Sequence, residues 1–325
     1  MNEENTTMVA YFILKGITDD PELQTPIFLL VLLIYLITLG ANTIILLLVG
    51  SDSQLHTPMY FFLCNLSILD VSSTTVTLHK ILIVFVTRDN VISVINCRMQ
   101  LFIFSWLSGT ELILLTAMSY DRYVAICNPL RYLAVMNGAV CAGLATSCWL
   151  IGLLQILPEM IMLLRFSCYF SNIINHFFCD FMPLMNLSCN DTSVLQLMIF
   201  IQGSLFAVFI PFLLTFISYV FIISTIMRIR SSTGRSKAFY TCSSHLTVVS
   251  LHYTAIICQY LTPSGTFKSS KLLSLLNTAV VPMLNPLIYS LKNKDVKSAL
   301  QRKLKHCKNI SVREEKNLTL QKLVT

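Results

Sequence analysis

Charge is what this 325-residue sequence has least of. Only 12% of its residues are Asp, Glu, Lys or Arg, while 55% are hydrophobic. A soluble domain of ordinary composition carries about 25% charged residues, so one or two soluble domains are excluded in favour of a polytopic membrane protein. A CxxC pair is also missing. The eleven cysteines are too dispersed for a zinc ribbon, and Cys64, Cys141, Cys148, Cys242 and Cys258 fall inside apolar runs as small core residues. The first twenty-five residues hold no apolar run before a small-residue cleavage site. They carry Glu3, Glu4, Asp19, Asp20 and Glu22, so they read as a polar tail, with the first span expected to act as its own insertion signal. No internal repeat links the two halves, which argues against a repeat-built transporter.

The net charge of +7 does not point to nucleic acid. Basic flanks on the cytosolic side of membrane spans produce the same excess.

Seven apolar stretches of helix length are present, and they predict an all-α bundle of seven transmembrane helices over residues 26–291. The spans are about 26–50, 58–86, 97–127, 138–157, 196–227, 237–261 and 271–291. Pro158 is expected to close the fourth, and Pro211 to interrupt the fifth. From Lys292, apolar Val296, Ala299, Leu300 and Leu304 recur at helical spacing among basic residues. That pattern predicts a short amphipathic helix in the interface within the tail 292–325. Sixteen Lys and Arg lie on the side of the C-terminus against six on the other, so that end is expected in the cytosol and the N-terminal tail 1–25 outside. Sequons at Asn5, Asn186 and Asn190 then face outward, whereas those at Asn309 and Asn317 are cytosolic and silent.

Misplaced charge is the functional signal. Glu111 lies roughly 17 Å above Arg122 in span three, and Asp70 roughly 18 Å above Pro58 in span two, at about 1.5 Å per residue. Asn42 and Asn285 come out roughly 10–13 Å above the cytosolic ends of their spans. Two carboxylates at one depth over two amides make a candidate cation or proton site. The alternative is that each is hydrogen-bonded separately within the helix packing. Asp121 and Arg122 are sequence neighbours, so they do not stack as an i,i+4 pair. They read either as an interfacial anchor or as a charge pair that rearranges between two conformations. His176, Cys179 and Asp180 resemble metal ligands, a reading that fails if Cys179 is in a disulfide. A relay through Asp70 and Glu111 would make the chain a proton channel. Ser243, Ser244 and His245 suggest nucleophilic catalysis, but no third orienting group accompanies them, so the chain is not expected to be an enzyme.

Five further stretches occur in order: Leu55-His56-Thr57-Pro58-Met59-Tyr60-Phe61-Phe62-Leu63, Met118 to Cys127, Ser218-Tyr219, Lys237 to His245 and Pro282 to Ser290. On these motifs the chain resembles the rhodopsin-like G-protein-coupled receptors, and within them the vertebrate odorant receptors. Ser119 stands where that family usually has alanine, Tyr240 where it usually has serine, and Gly40-Ala41-Asn42 where it has Gly-Asn. The resemblance implies a multi-pass plasma-membrane receptor that binds a small volatile odorant. It would activate a heterotrimeric stimulatory, olfactory-type G protein and raise cyclic AMP. It also implies disulfides Cys97–Cys179 and Cys168–Cys189. Asp70 and Glu111 look like sodium-site carboxylates, with sodium as an allosteric ligand and no other cofactor. Asp121, Arg122, Tyr123, Tyr219, His245, Asn285, Pro286 and Tyr289 look like the activation switch. The ligand cavity is implied between the outer halves of spans three, five, six and seven, with Phe104, Ser105, Ser108, Gly109, Gly203, Ala207 and Tyr253 as candidate lining residues.

Overall fold

The computed structural model describes residues 9–261, 270–291 and 295–305. The sequons at Asn5, Asn309 and Asn317, the link 262–269, residues 292–294 and the tail beyond 305 lie outside the described residues. Seven long helices follow one another: α1 Pro21–Ser51, α2 Pro58–Thr87, α3 Val94–Cys127, α4 Gly138–Leu164, α5 Ser193–Arg228, α6 Ser232–Leu261 and α7 Lys271–Ser290. A short helix α8 covers 295–305.

Local chemistry sets the helix starts. Pro21 and Pro58 stand in first turns, where a missing N–H costs nothing. The side chains of Asp20, Ser93 and Asn137 accept the N–H groups of Glu22, Asn96 and Val140 at 3.0–3.2 Å, capping α1, α3 and α4.

Six of the long helices are apolar enough to cross a bilayer. The seventh, α6, is as long but starts five residues before the expected Lys237 and carries Arg235, Ser243, Ser244, His245 and His252. Its polar groups turn inward: Ser244, His245 and His252 are buried, and α6 packs against α3, α5 and α7. The apolar surface elsewhere faces outward, as with Leu29, Leu33, Leu36 and Leu47 on α1 and Phe212 and Phe216 on α5. That is the arrangement a bilayer requires of a helix bundle. α3 is the most enclosed helix, with α2, α4, α5 and α6 around it.

Proline acts differently from expectation. Pro158 does not end α4, which continues to Leu164. In a bilayer, leaving the helix would expose more backbone than a single lost N–H. A π-helical segment, Gln202–Phe209, precedes Pro211 in α5, and another, Leu276–Val280, precedes Pro282 in α7. Each contains the residue four positions before its proline, whose carbonyl has lost its usual donor; the wider turn accommodates this.

From residue 9 onward the N-terminal segment is built into the fold. Residues Tyr11–Leu14 form strand β1, and α1 already begins at Pro21. β1 lies at the centre of a three-stranded sheet, antiparallel to β2 (Val91–Ser93) and parallel to β3 (Ile173–Ile174). Phe12 and Leu14 are buried, and Phe12 meets Tyr169 edge-on at 5.0 Å. Below the sheet, Phe177 and Phe178 are fully enclosed, and Phe178 stacks edge-on against Phe104 of α3 at 5.2 Å. The disulfide Cys97–Cys179 ties this loop to α3, and Cys168–Cys189 ties the loop to itself. Gln100 adds a clasp, donating to the Val76 carbonyl at 2.7 Å and accepting the Cys179 N–H at 3.0 Å. Strand, loop and α3 are thereby tied together at one end of the bundle.

His176 in this lid is buried, and desolvation, with the Lys271 charge behind it, pulls its pKa from 6.5 down to about 4. The unfolded chain then binds the extra proton between those values, so stability falls as pH drops through that window. At about 1.4 kcal/mol per pH unit, acidification from pH 7 to 5 should cost the lid about 2 kcal/mol. Hydrogen exchange of residues 9–14 and 166–190 should accelerate accordingly in the native chain and change little in His176→Gln.

At the opposite end, α8 buries Val296 and Ala299, while Leu300 and Leu304 stay exposed for an interface. Arg302 donates to Asp52 at 2.7 Å and Lys303 to the Ser51 carbonyl at 3.0 Å, fastening α8 to the end of α1. The Arg302 hydrogen bond holds the half-buried Asp52 carboxyl below its ordinary range.

Candidate functional site

Asp70 and Glu111, level in depth, are bridged by one side chain. Asn285 Nδ2 of α7 donates to Asp70 Oδ1 at 2.9 Å and to Glu111 Oε1 at 3.3 Å. The carboxylates therefore face one another across a single amide nitrogen rather than being satisfied separately. His252 of α6 approaches the same Glu111 oxygen with Nε2 at 2.6 Å, and its Nδ1 lies 3.2 Å from the Val248 carbonyl. A carbonyl only accepts, so Nδ1 carries a hydrogen. Four helices, α2, α3, α6 and α7, thus meet at one buried group. Asp70 and Asn285 are wholly enclosed, with Glu111 and His252 nearly so.

The Asn42 amide is bonded within its own helix instead: its Nδ2 donates to the Thr38 carbonyl at 3.0 Å. Several buried oxygens around the carboxylates lack a hydrogen-bond partner among the described residues: Asp70 Oδ2, Asn285 Oδ1, Ser67 Oγ and Thr74 Oγ1. His252 was not singled out from the sequence. The available signal was a second histidine seven residues after His245, on the same face of an apolar helix.

The second polar layer sits at the other end of α3. Asp121 and Arg122 are buried, not spread along an interface. Although they are neighbours in sequence, the long arginine folds back, and its Nε donates to Asp121 Oδ2 at 2.9 Å, with Nη2 to the same oxygen. Tyr132, in the short helix Tyr132–Val135 that follows α3, donates its hydroxyl to Asp121 Oδ1 at 2.7 Å. Burial and the Asp121 charge push the Tyr132 phenol up, which keeps it a donor. A small cavity of about 10 Å³ is lined by Met59, Met118, Asp121, Arg122, His245 and Tyr289. Tyr219 of α5 lies 2.7 Å from His245 Nδ1, and His245 Nε2 lies 3.2 Å from the Leu115 carbonyl of α3. Both ring nitrogens are occupied, and Ser243 turns to the Tyr240 carbonyl at 2.8 Å, so no serine nucleophile is paired with this histidine. Tyr123 faces α5, edge-on to Phe221 at 6.0 Å. Asn285 belongs to the upper layer, and Pro286 follows it within α7.

The candidate ligand residues divide. Phe104 is buried beneath Phe178, and Tyr253 of α6 packs edge-on against Phe212 of α5 at 5.3 Å. Ser105, Ser108 and Gly203 are half-buried. Gly109 is on the side of α3 that meets α4, where an added Cβ would lie 3.4 Å from Gln155 Oε1. The side chain of Ala207 lies outside the described residues. In the lid, Cys179 is consumed by its disulfide, and no cluster of three or more His, Cys, Asp or Glu fit to hold a metal occurs among the described residues. The sequon residue Asn186 is exposed in the helix Phe181–Leu187, whereas Asn190 is half-buried and accepts the Cys168 N–H at 3.4 Å.

Comparison with known proteins gives this geometry a family. A family model described as olfactory receptor matches residues 31–307. Human olfactory receptor 6C3 is 46% identical over 299 residues, covering 91% of this chain and 96% of the relative. Human olfactory receptor 6C1 is 47% identical over 297 residues, 91% and 95% of the two chains. Mouse olfactory receptor 8A1 is 45% identical over 307 residues, 94% and 99%. With its bundle of membrane helices and its two polar layers, the chain belongs to the olfactory receptor family, whose members are multi-pass signalling receptors and not enzymes.

Proposed function

We propose that the chain sits in the plasma membrane with its lid outside and Arg122 facing the cytosol. There it detects a small volatile molecule and signals through an olfactory-type stimulatory G protein, raising cyclic AMP. The ligand occupies the lid half of the bundle between α3, α5, α6 and α7. It shifts the receptor only as far as it binds the active arrangement more tightly than the resting one. α6 then swings from α3, separating His245 from the Leu115 carbonyl and opening the Arg122 layer to the G protein. Residues 1–25 are the extracellular segment, 26–291 the receptor body and 292–325 the cytosolic tail.

The observation that carries this reading is the pairing of two polar layers on α3, each contacted by α6: Glu111 by His252 and the Leu115 carbonyl by His245. An element held at two depths by a few hydrogen bonds is suited to move as a unit. A cyclic-AMP screen of a chemically diverse odorant panel tests it, on cells expressing the chain with a trafficking partner. At least one odorant should give a saturable rise that untransfected cells lack. A surface-expressed receptor silent to the whole panel would count against it.

Sodium fits the upper layer. Asp70 Oδ2, Asn285 Oδ1, Ser67 Oγ and Thr74 Oγ1 are buried oxygens without partners, and hard oxygen donors suit a hard cation. Asp70 and Glu111 would hold the ion, which supplies a positive charge between them. Glu111→Gln should therefore weaken the sodium dependence of basal cyclic AMP severalfold. An unchanged sodium titration would remove Glu111 from the site.

A further inference from the structure

A polar strip on α4 has no part in either layer of α3. Gln155 and Glu159 stand one turn apart on the same face. Glu159 is only 7% exposed and has no hydrogen-bond partner or ion pair among the described residues. The Gln155 amide also makes no hydrogen bond there; only its backbone carbonyl is used, by Gln202 Nε2 of α5. Pro158 lies between the two and has no N–H, so the Leu154 carbonyl lacks its usual helical donor. Unpaired polar groups at membrane depth are costly, and such residues are functional by default.

Leu154 and Gln155 of this strip line a groove of about 460 Å³ between α4 and α5, together with Ile151, Met198, Ile201, Gln202 and Phe206. Its rim residues Ile151, Leu154, Ile201 and Phe206 are exposed on the surface that faces lipid. Its α5 wall is the π-helical segment Gln202–Phe209. Its inner end reaches α3, where Gln155 Oε1 lies against Gly109. The antiparallel register of α3 and α4 follows from Arg98 bonding the Phe166 carbonyl and Gly109 meeting Gln155. By contrast, the lid end of the bundle carries, among the described residues, the sheet, both disulfides and the enclosed Phe177 and Phe178.

We infer that the α4–α5 groove is a ligand site entered from the bilayer, and that its ligand is a small, largely hydrocarbon molecule carrying one hydroxyl. The hydrocarbon matches the groove walls. A hydroxyl supplies one donor, and the Leu154 carbonyl and Gln155 Oε1 are the groove acceptors that lack one. Such a molecule partitions into lipid, so it reaches the groove without passing the lid. This inference extends the odorant-receptor reading by naming a ligand class and an approach, and it assigns a site distinct from the α3–α5–α6–α7 cavity.

Photolabelling tests it without any signalling readout. The full chain in nanodiscs is irradiated with an eight-carbon alcohol bearing a diazirine, and in parallel with the matching diazirine hydrocarbon that lacks the hydroxyl. Labelled peptides are mapped by mass spectrometry. The alcohol should label segments 151–159 and 198–206 at least fivefold more than the hydrocarbon does, and unlabelled 1-octanol should compete. Gln155→Leu should remove most of that excess, as should Gln155→Met if the first variant does not fold. Equal labelling by both probes would mean an ordinary lipid-facing surface and would overturn the proposal, as would labelling confined to α6 and α7. Because no G protein is present, failure here is separable from a silent cyclic-AMP screen.

Discussion

Arg122→Ala should abolish the odorant-driven rise in cyclic AMP while surface expression stays within about twofold of the native chain. Arg122 is the one cation among the residues lining the small cavity at its end of α3. Its guanidinium is held by Asp121 of the same helix, and the sixth helix offers no carboxylate to it, since Ser232–Leu261 contains neither Asp nor Glu. The layer is therefore closed by packing and by His245, not by an ion pair across helices. Removing Arg122 leaves Asp121 with the Tyr132 hydroxyl, which limits the cost of the unpaired charge. Surface labelling beside a cyclic-AMP dose response separates the two effects. A normal response from the alanine variant would rule out its role in coupling.

The second large effect is expected at the lid. Cys97→Ser should reduce surface expression about tenfold or more, because loss of a structural disulfide costs about 2–5 kcal/mol. Cys168→Ser should be milder. The first bond spans 82 residues and the second 21, and loop-closure entropy makes the longer constraint worth about 1 kcal/mol more. The first also anchors the loop to α3 beside Gln100, whose two hydrogen bonds link α2, α3 and Cys179. Flow cytometry of an N-terminally tagged receptor gives the ranking. Equal expression of both variants would contradict it.

How much of this was legible beforehand depended on the range of the interaction. Helix period and rise are local properties, so the spans and the shared depth of Asp70 and Glu111 could be reckoned from residue numbers. Whether the carboxylates faced one another depended on helix rotation, which needed Asn285 from another helix. Asn42 shows the limit: its depth was close, but its side chain found a carbonyl in its own helix. His252 recurs seven residues after His245 on one face of α6, but what that face meets emerges only when α6 is set against α3. The strand Tyr11–Leu14 is four residues long and pairs with segments 80 and 160 positions away, roughly, so no local pattern announces it. Pro158 does not terminate α4, because proline's cost in water does not carry over to a helix surrounded by lipid. The disulfide partners came from family resemblance, since four cysteines alone allow several pairings.

The central claim is that a bound odorant opens the Arg122 end to a G protein. Purified receptor in nanodiscs, mixed with purified stimulatory G protein and an odorant identified by the cellular screen, tests this directly through the rate of guanine-nucleotide exchange. The account predicts an odorant-dependent acceleration of at least severalfold, absent from Arg122→Ala. No acceleration, from a preparation that instead passes protons or sodium across a sealed bilayer without G protein, would contradict it.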